Sequence, residues 1–298
     1  ADILFEQAIL HKNAQLPIDT NKQNLITAVA LAEKAVNTFP KSIGAENARN
    51  LIEDIKSSSL SVQVKEFIQP DRPSQLYLSY KNTDSVQLRL YHSPEFKNEY
   101  EQFDNKAGFL AFLKNNKALR HWIIAVPRTN DYQTHSLVDK MEGLPFGSYT
   151  LIAQTINRNQ NDTIYSNINF KVTAMAVINR RNIEKHEFFV SQLNNGTPLK
   201  NVKIQQRRYD YNTRKFIDGA LITTNDKGYA STYETDRNMA YAVVTLGKDE
   251  LKLYINNHNG YRDDEDDERV ILFTDRPIYR PGQTVYYKGL CLKILNGE

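Results

Sequence analysis

Phe273-Thr-Asp-Arg-Pro-Ile-Tyr-Arg-Pro-Gly-Gln-Thr-Val-Tyr-Tyr-Lys-Gly289, FTDRPIYRPGQTVYYKG, is the stretch from which the fold of this 298-residue chain is read. Apolar residues lead into it from Val270 (VILFTD) and run out of it in TVYYKGLCLKI, two segments of strand composition. Between them Arg280-Pro-Gly-Gln283 is turn chemistry, because proline fixes one backbone angle and glycine takes a positive one freely. The expected structure is strand, connection, strand. Arg276 and Arg280 flank the bend, and Asp275 is near enough in sequence to fix it by an ion pair or a backbone hydrogen bond.

Upstream, the same two-residue period recurs. SLSVQVKEF, QLYLSY and SVQLRLY place Leu60, Val62, Val64, then Leu76, Leu78, Tyr80, then Val86, Leu88, Leu90 on alternate positions, and HWIIAV, GSYTLIAQT and INFKVTAMAVI continue the pattern. Lys106 to Leu119 (KAGFLAFLKNNKAL) reads as a short helix set between strands. Residues 59–176 are therefore expected to form a first β-sandwich with a helical insertion. Residues 177–256 are expected to form a second, smaller one, with NGTPLKNVKI near its start, a turn on Asn225-Asp-Lys-Gly228, and alternating Leu251, Leu253, Ile255 at its end. Residues 257–269 are polar and end in six consecutive carboxylates, Asp263 to Glu268. Mutual repulsion makes that run a solvated linker, and it lacks the alternating order of a calcium loop. Residues 270–298 open a further domain.

Before Ser59 the period is helical. Leu25, Ala28, Val29, Ala32, Ala35, Val36 and Phe39 step by three and four, and Pro40 ends that helix. Ala45, Ala48, Leu51, Ile52 and Ile55 make a second face with Ser42 as its N-cap. Residues 1–58 are thus expected to form a helical hairpin. The fold class is mainly β with an N-terminal α-helical segment.

Charge and cysteine narrow the function classes. The formal net charge of +3 comes from 38 basic and 35 acidic residues intermixed along the chain, so no basic field is gathered for a phosphate backbone, and nucleic acid is not an expected partner. One cysteine, Cys291, leaves no intrachain disulfide and no multi-cysteine metal site. Its alternation with Leu290 and Leu292 reads as a buried or edge strand thiol rather than a nucleophile. No apolar run reaches the length of a membrane-spanning helix.

His186-Glu187 begins a zinc-protease pattern, but Val190 stands where the second histidine belongs. No Gly-x-Ser-x-Gly elbow and no phosphate loop occurs. No catalytic residue, metal ligand or cofactor site is expected. The 17 tyrosines, among them Tyr77, Tyr80, Tyr91, Tyr100, Tyr209, Tyr211, Tyr229, Tyr233 and Tyr241, suit a glycan platform or simple strand packing. Packing is the favoured reading, since the lone Trp122 lies inside an apolar strand.

Three resemblances follow from these residues. LAEKAVNTFP is similar to the alanine-rich end of a tetratricopeptide unit. Gly196-x-Pro-Leu-x-x-Val202 with Asn-Asp-Lys-Gly-Tyr is similar to transthyretin and carboxypeptidase-regulatory modules. The opening stretch closely resembles the segment that begins an early macroglobulin domain in the alpha-2-macroglobulin family. Phe273, Thr274, Asp275, Arg276 and Pro277, then Tyr279, Arg280, Pro281 and Gly282, then Lys288 and Gly289 carry it.

The last resemblance implies tandem macroglobulin or fibronectin-III-like sandwiches and a non-catalytic scaffold portion of a bacterial endopeptidase inhibitor. It implies endopeptidases and the remaining macroglobulin domains of a parent chain as partners. The implied location is extracytoplasmic, in periplasm or cell envelope, with a lipid anchor as one means of attachment. The Gly-Cys-Gly-Glu-Gln thioester of many members is not in this chain, and only 29 residues stand from Val270 onward, so an excised portion of a longer protein is expected. A surface adhesin or glycan-binding array of sandwich modules is the alternative.

Overall fold

The computed structural model describes residues 1–13, 23–93, 112–127, 129–156, 164–181, 185–210, 212–233, 239–255, 267–274 and 284–294. The chain divides into two compact units, Ala1–Thr173 and Ala174–Glu298.

The first unit opens with three helices, α1 (Asp2–Asn13), α2 (Asn24–Thr38) and α3 (Ile43–Lys56). Ala28, Ala32 and Ala35 of α2 and Ala45 and Ala48 of α3 are fully buried, and such small side chains let helices approach closely. Ser42 caps α3, its Oγ accepting from the Ala45 N–H at 3.1 Å. The expected hairpin is a three-helix unit instead. The apolar face of two helices is too wide for them to hide alone, and α1 covers it with Ala8, Leu4, Phe5 and Ile9. Its pattern is blurred because Ile3 and Leu10 stay exposed on its other side, at 77% and 69%.

A turn of the first sandwich caps the last helix. Asn82, at a positive φ of 51°, donates from Nδ2 to the Ile55 and Ser57 carbonyls at 3.0 Å each, and Ser58 Oγ donates back to the Asn82 carbonyl at 2.9 Å. These bonds fill carbonyl acceptors that a helix end leaves open.

Eight strands follow: β1 (Ser59–Val64), β2 (Phe67–Ile68), β3 (Ser74–Lys81), β4 (Ser85–His92), β5 (Arg120–Ala125), β6 (His135–Met141), β7 (Gly147–Ile156) and β8 (Tyr165–Val172) make the sandwich, with the helical turn at 112–115 and the loop at 129–134 between them. One sheet has the order β1-β3-β6 and the other β2-β8-β7-β4-β5. Inward Leu76, Leu78, Val86, Leu88, Leu90, Leu151 and Val172 form the core between them. From the expected insertion at 106–119, residues 106–111 lie outside the described residues. Phe112 sets its ring 5.1 Å from Tyr91, over Ile152 on the outer face of the larger sheet.

Gly143-Leu-Pro-Phe-Gly147 is a corner anchored from below. Leu144 is buried, and the Tyr149 hydroxyl donates to the Pro145 carbonyl at 2.9 Å, the tyrosine-corner device of such sandwiches. Burial raises the Tyr149 pKa, so the phenol stays a donor.

In the second unit β9 (Met175–Arg181), β10 (Lys185–Gln192) and β13 (Tyr229–Tyr233) pair in the order β13-β10-β9. Facing them, β11 (Lys203–Asp210), β12 (Lys215–Thr223), β14 (Met239–Leu246) and β15 (Asp249–Tyr254) run β12-β11-β14-β15. Set the short β2 aside, and the first sandwich has this same order. In each, the first, second and fifth strands make one sheet and the fourth, third, sixth and seventh make the other. The two are tandem fibronectin-III-like sandwiches.

Ala174 N–H donates to Asp249 Oδ2 at 2.8 Å, which ties the start of the second unit to the last strand of its sandwich, β15. The Asn225–Gly228 turn docks on β10 through Val190 N–H to the Gly228 carbonyl at 2.8 Å. Finally β16 (Asp267–Thr274) and β17 (Tyr287–Ile294) form an antiparallel two-stranded sheet. Asp267, Glu268 and Arg269, assigned to the linker from sequence, are strand residues, paired in register with Ile294, Lys293 and Leu292. The rest of the acidic run lies outside the described residues.

Two substitutions test these contacts. Gly228 has φ +69°, and a β-carbon there would strike the Val190 carbonyl oxygen. Gly228→Ala is expected to destabilise the second unit by about 1–3 kcal/mol. Tyr149→Phe is expected to cost the first about 1–2 kcal/mol by leaving the Pro145 carbonyl without its donor. Urea midpoints read by circular dichroism measure both.

Candidate functional site

The sequence places its site in the hairpin of β16 and β17, and the register shows which motif residues meet. Phe273 lies opposite Lys288, Leu272 opposite Gly289, and Thr274 opposite Tyr287. Asp275, Arg276, Pro277, Tyr279, Arg280, Pro281 and Gly282 lie outside the described residues. Two ends of the motif are thus side by side in one ladder. Val285 and Tyr286, just before β17, are exposed at 46% and 69%, and Tyr287 and Leu290, of opposite parity on β17, at 74% and 42%. Cys291 is exposed on β17 opposite Val270.

A second cluster was not foreseen. Strand parity turns Glu187 of β10 outward, yet its side chain is only 5% exposed because its own partners cover it. Arg180 Nε donates to Oε2 at 2.8 Å, the Tyr229 hydroxyl donates to Oε1 at 2.8 Å, and Lys185 Nζ lies 3.1 Å from Oε1. Hydrogen bonds from Arg180, Tyr229 and Lys185 hold the carboxyl pKa down at about 2. A carboxylate with its lone pairs so occupied is a poor general base and no acid at neutral pH. It works as a clasp across β9, β10 and β13. His186 and Val190 point inward from the same strand, so the zinc-protease pattern, which needs a helix to align its residues, has no counterpart here.

Asp131 makes a similar knot in the loop before β6. Its Oδ1 accepts from Thr129 Oγ1 at 2.7 Å and Gln133 N–H at 3.0 Å and lies 2.9 Å from His135 Nε2. Burial pushes its pKa up, but the bonds from His135, the Gln133 amide and Thr129 outweigh that and set it at about 2. The knot holds Tyr132 at a φ of 57°, rare for a bulky side chain, with its ring packed on the helices. Among the described residues no group of three or more His, Cys, Asp or Glu is gathered to hold a metal ion. No helix among them is long and apolar enough to cross a membrane.

These features define a class: tandem sandwiches after a helical start. No family model matches the chain, and no curated protein matches it. Among solved structures it is similar to alpha-2-macroglobulin from Escherichia coli spanning domains MG0-NIE-MG1, at 13% identity over 67% of this chain and 64% of that one, with a TM-score of 0.48. The native conformation of the E. coli protein is similar over 80% of this chain and 16% of that one, at 15% identity and a TM-score of 0.42. A Salmonella alpha-2-macroglobulin mutant is similar over 79% and 15%, at 14% identity and 0.40. The chain therefore spans only about a sixth of the longer bacterial macroglobulin chains it is similar to.

Glu187 supplies a pH prediction. Its folded pKa lies below the ordinary 4.5, so its contribution is complete above about pH 4.5 and is lost as pH falls toward 2. Glu187→Gln is expected to flatten the loss of melting temperature between these pH values. An unchanged slope in that variant would mean the clasp adds nothing.

Proposed function

We propose that the chain is a non-catalytic scaffold portion of a bacterial alpha-2-macroglobulin-like endopeptidase inhibitor, acting outside the cytoplasm in the periplasm or cell envelope. The observation that carries this reading is the Phe273–Gly289 motif following two sandwiches of one strand order. Repetition of one topology suits a body assembled from modules. The most acidic carboxylates described, Glu187 and Asp131, are tied into structural knots, which supports a role without chemistry. In this reading endopeptidases are met by the parent protein as a whole, and the neighbours of this chain are further macroglobulin domains. Fold alone would not give a task, since such sandwiches serve many, and the motif is what directs the choice.

The test is inhibition. A chain of 34.4 kDa has neither a thioester loop nor the bulk to enclose a peptidase. Incubated in excess with serine, cysteine and metallopeptidases, it is expected to leave cleavage of both a small peptide and a large protein substrate unchanged. The parent protein is expected to protect the large substrate while the small one is still cut. Loss of small-peptide cleavage with the isolated chain intact would overturn the scaffold reading in favour of a direct active-site inhibitor, which would need an interface of about 1,600 Å².

A further inference from the structure

The helices and the first sandwich keep separate apolar cores. Ala28, Leu51 and Ile55 belong to one, and Leu76, Leu88 and Leu151 to the other. Among the described residues no helix side chain enters the core of the sandwich, and Tyr132 is the one sandwich side chain packed against the core of the helices. A unit with its own core, joined to its neighbour over a small apolar contact, moves relative to it unless something holds it.

Two attachments hold the helices, and strand order sets them apart. The first surrounds the chain connection, where Ser57 and Ser58 link α3 to β1. There Lys81 Nζ donates to the Asp54 carbonyl at 3.1 Å, and Asn82 Nδ2 donates to the Ile55 and Ser57 carbonyls. Ser59 pairs with Lys81, so these bonds gather where β1 starts and β3 ends. Such a cluster fixes a point but not an orientation. The second attachment is Tyr132, from the loop before β6. Tyr80 pairs with His135, so this loop leaves the same end of the sheet, but in the order β1-β3-β6 it stands on the far side of β3 from β1. The two attachments are therefore two strand spacings, about 10 Å, apart. The first suits a pivot, and the second sets the angle.

The loop that carries Tyr132 is strained. Asn130 and Tyr132, at φ 53° and 57°, flank Asp131 in the left-handed region. Non-glycine residues stay there only where their surroundings over-determine them, and such strain gathers at switching segments. Here the surroundings are local: Asp131 takes its bonds from Thr129, the Gln133 amide and His135, and none of these bonds reaches the helices. The loop is thus a preformed arm with one ring at its tip, shaped without help from the surface it grips.

We propose that the helical unit is a hinged module, pivoting on Ser57–Ser58 and held shut by the Tyr132 ring on its strained arm. Opening withdraws one ring and leaves both cores whole. The inference goes beyond the scaffold reading and rests on the first unit alone.

The experiment uses the whole chain with Cys291→Ser and spin labels on Lys34→Cys of α2 and Lys140→Cys of β6, both exposed positions. Pulsed electron paramagnetic resonance reads the distance between labels, and hydrogen exchange is followed in parallel. With Tyr132 present one narrow distance is expected. Tyr132→Ala is expected to broaden or shift it, while amides of α1, α2 and α3 keep their protection and those of Ser58 and Asn82 exchange about tenfold faster or more. Tyr132→Phe keeps the apolar body of the ring and stays narrow, as does Tyr77→Ala, which removes a 43% exposed ring of β3. If Tyr132→Ala fails to fold, Asp131→Asn loosens the arm, leaves the ring and carries the test with the same expected broadening. A narrow, unshifted distance in the variant overturns the proposal. So does loss of protection throughout the three helices of a folded Tyr132→Ala chain, which would make the ring a member of the helical core instead of a latch.

Discussion

A sandwich needs one apolar face from each sheet, so each strand must keep one parity along its length, and the rest of this structure depends on that constraint. On β4 and β7 it turns Val86, Leu88 and Leu90 toward Leu151 and Ala153, all within 1% of complete burial. A slip of one residue would send them to the outer face and bring in Gln87, Arg89 and Gln154. Parity yields only where the chain provides for it. On β11 the ladder to β12 shifts between Gln205 and Arg207, and the Gln205 side chain donates to the Gly219 carbonyl at 3.0 Å. A bulge removes a ladder bond, and here a neighbouring side chain replaces it.

Parity is also why so much of the fold was legible. Alternation in SVQLRLY or GSYTLIAQT is a local signal, and each became a strand, the first with Val86, Leu88 and Leu90 inward as expected. The helical faces of α2 and α3 were equally local. What escaped were properties of neighbours. Helix α1 was missed because its apolar residues surround it, and only α2 and α3 reveal which side is covered. Tyr229 reaches Glu187 across 42 residues of sequence, and no spacing rule announces a pair that strand order creates. Arg180 is only seven residues away, but their meeting requires the β9-β10 register. Of the candidate site, the two strands were legible from composition and turn residues, while the side-chain arrangement of the bend lies outside the described residues.

The surface clasps show a common division of labour. Glu187 and Asp131 each gather several donors, and neither lies in the apolar centre of its sandwich. Burying an ion pair in the core costs desolvation that the pairing seldom recovers, whereas a carboxylate on an outer face, covered by long polar side chains, exchanges its water for several direct hydrogen bonds and fixes geometry. Glu187 joins three strands of one sheet. Asp131 sets a loop whose Tyr132 ring meets the helices.

The distribution of rings separates what the fold needs from what lies upon it. In the first sandwich Tyr149 stacks with Phe170 at 5.7 Å inside the core, and Tyr80 is buried there too, so those rings serve folding. The second sandwich closes on small aliphatic residues and one phenylalanine, and its remaining large rings face outward. Exposed aromatic area gains nothing from burial and raises the risk of association. Tyr209 and Phe216 lie opposite each other in the ladder, as do Tyr241 and Tyr254; the parity that keeps Ile204 and Val244 inside keeps these four rings outward, where they meet edge to face or tilted on one another. Contact between outward rings of paired strands adds to the pairing itself, so these four stabilise the sheet from the side that its aliphatic core does not reach.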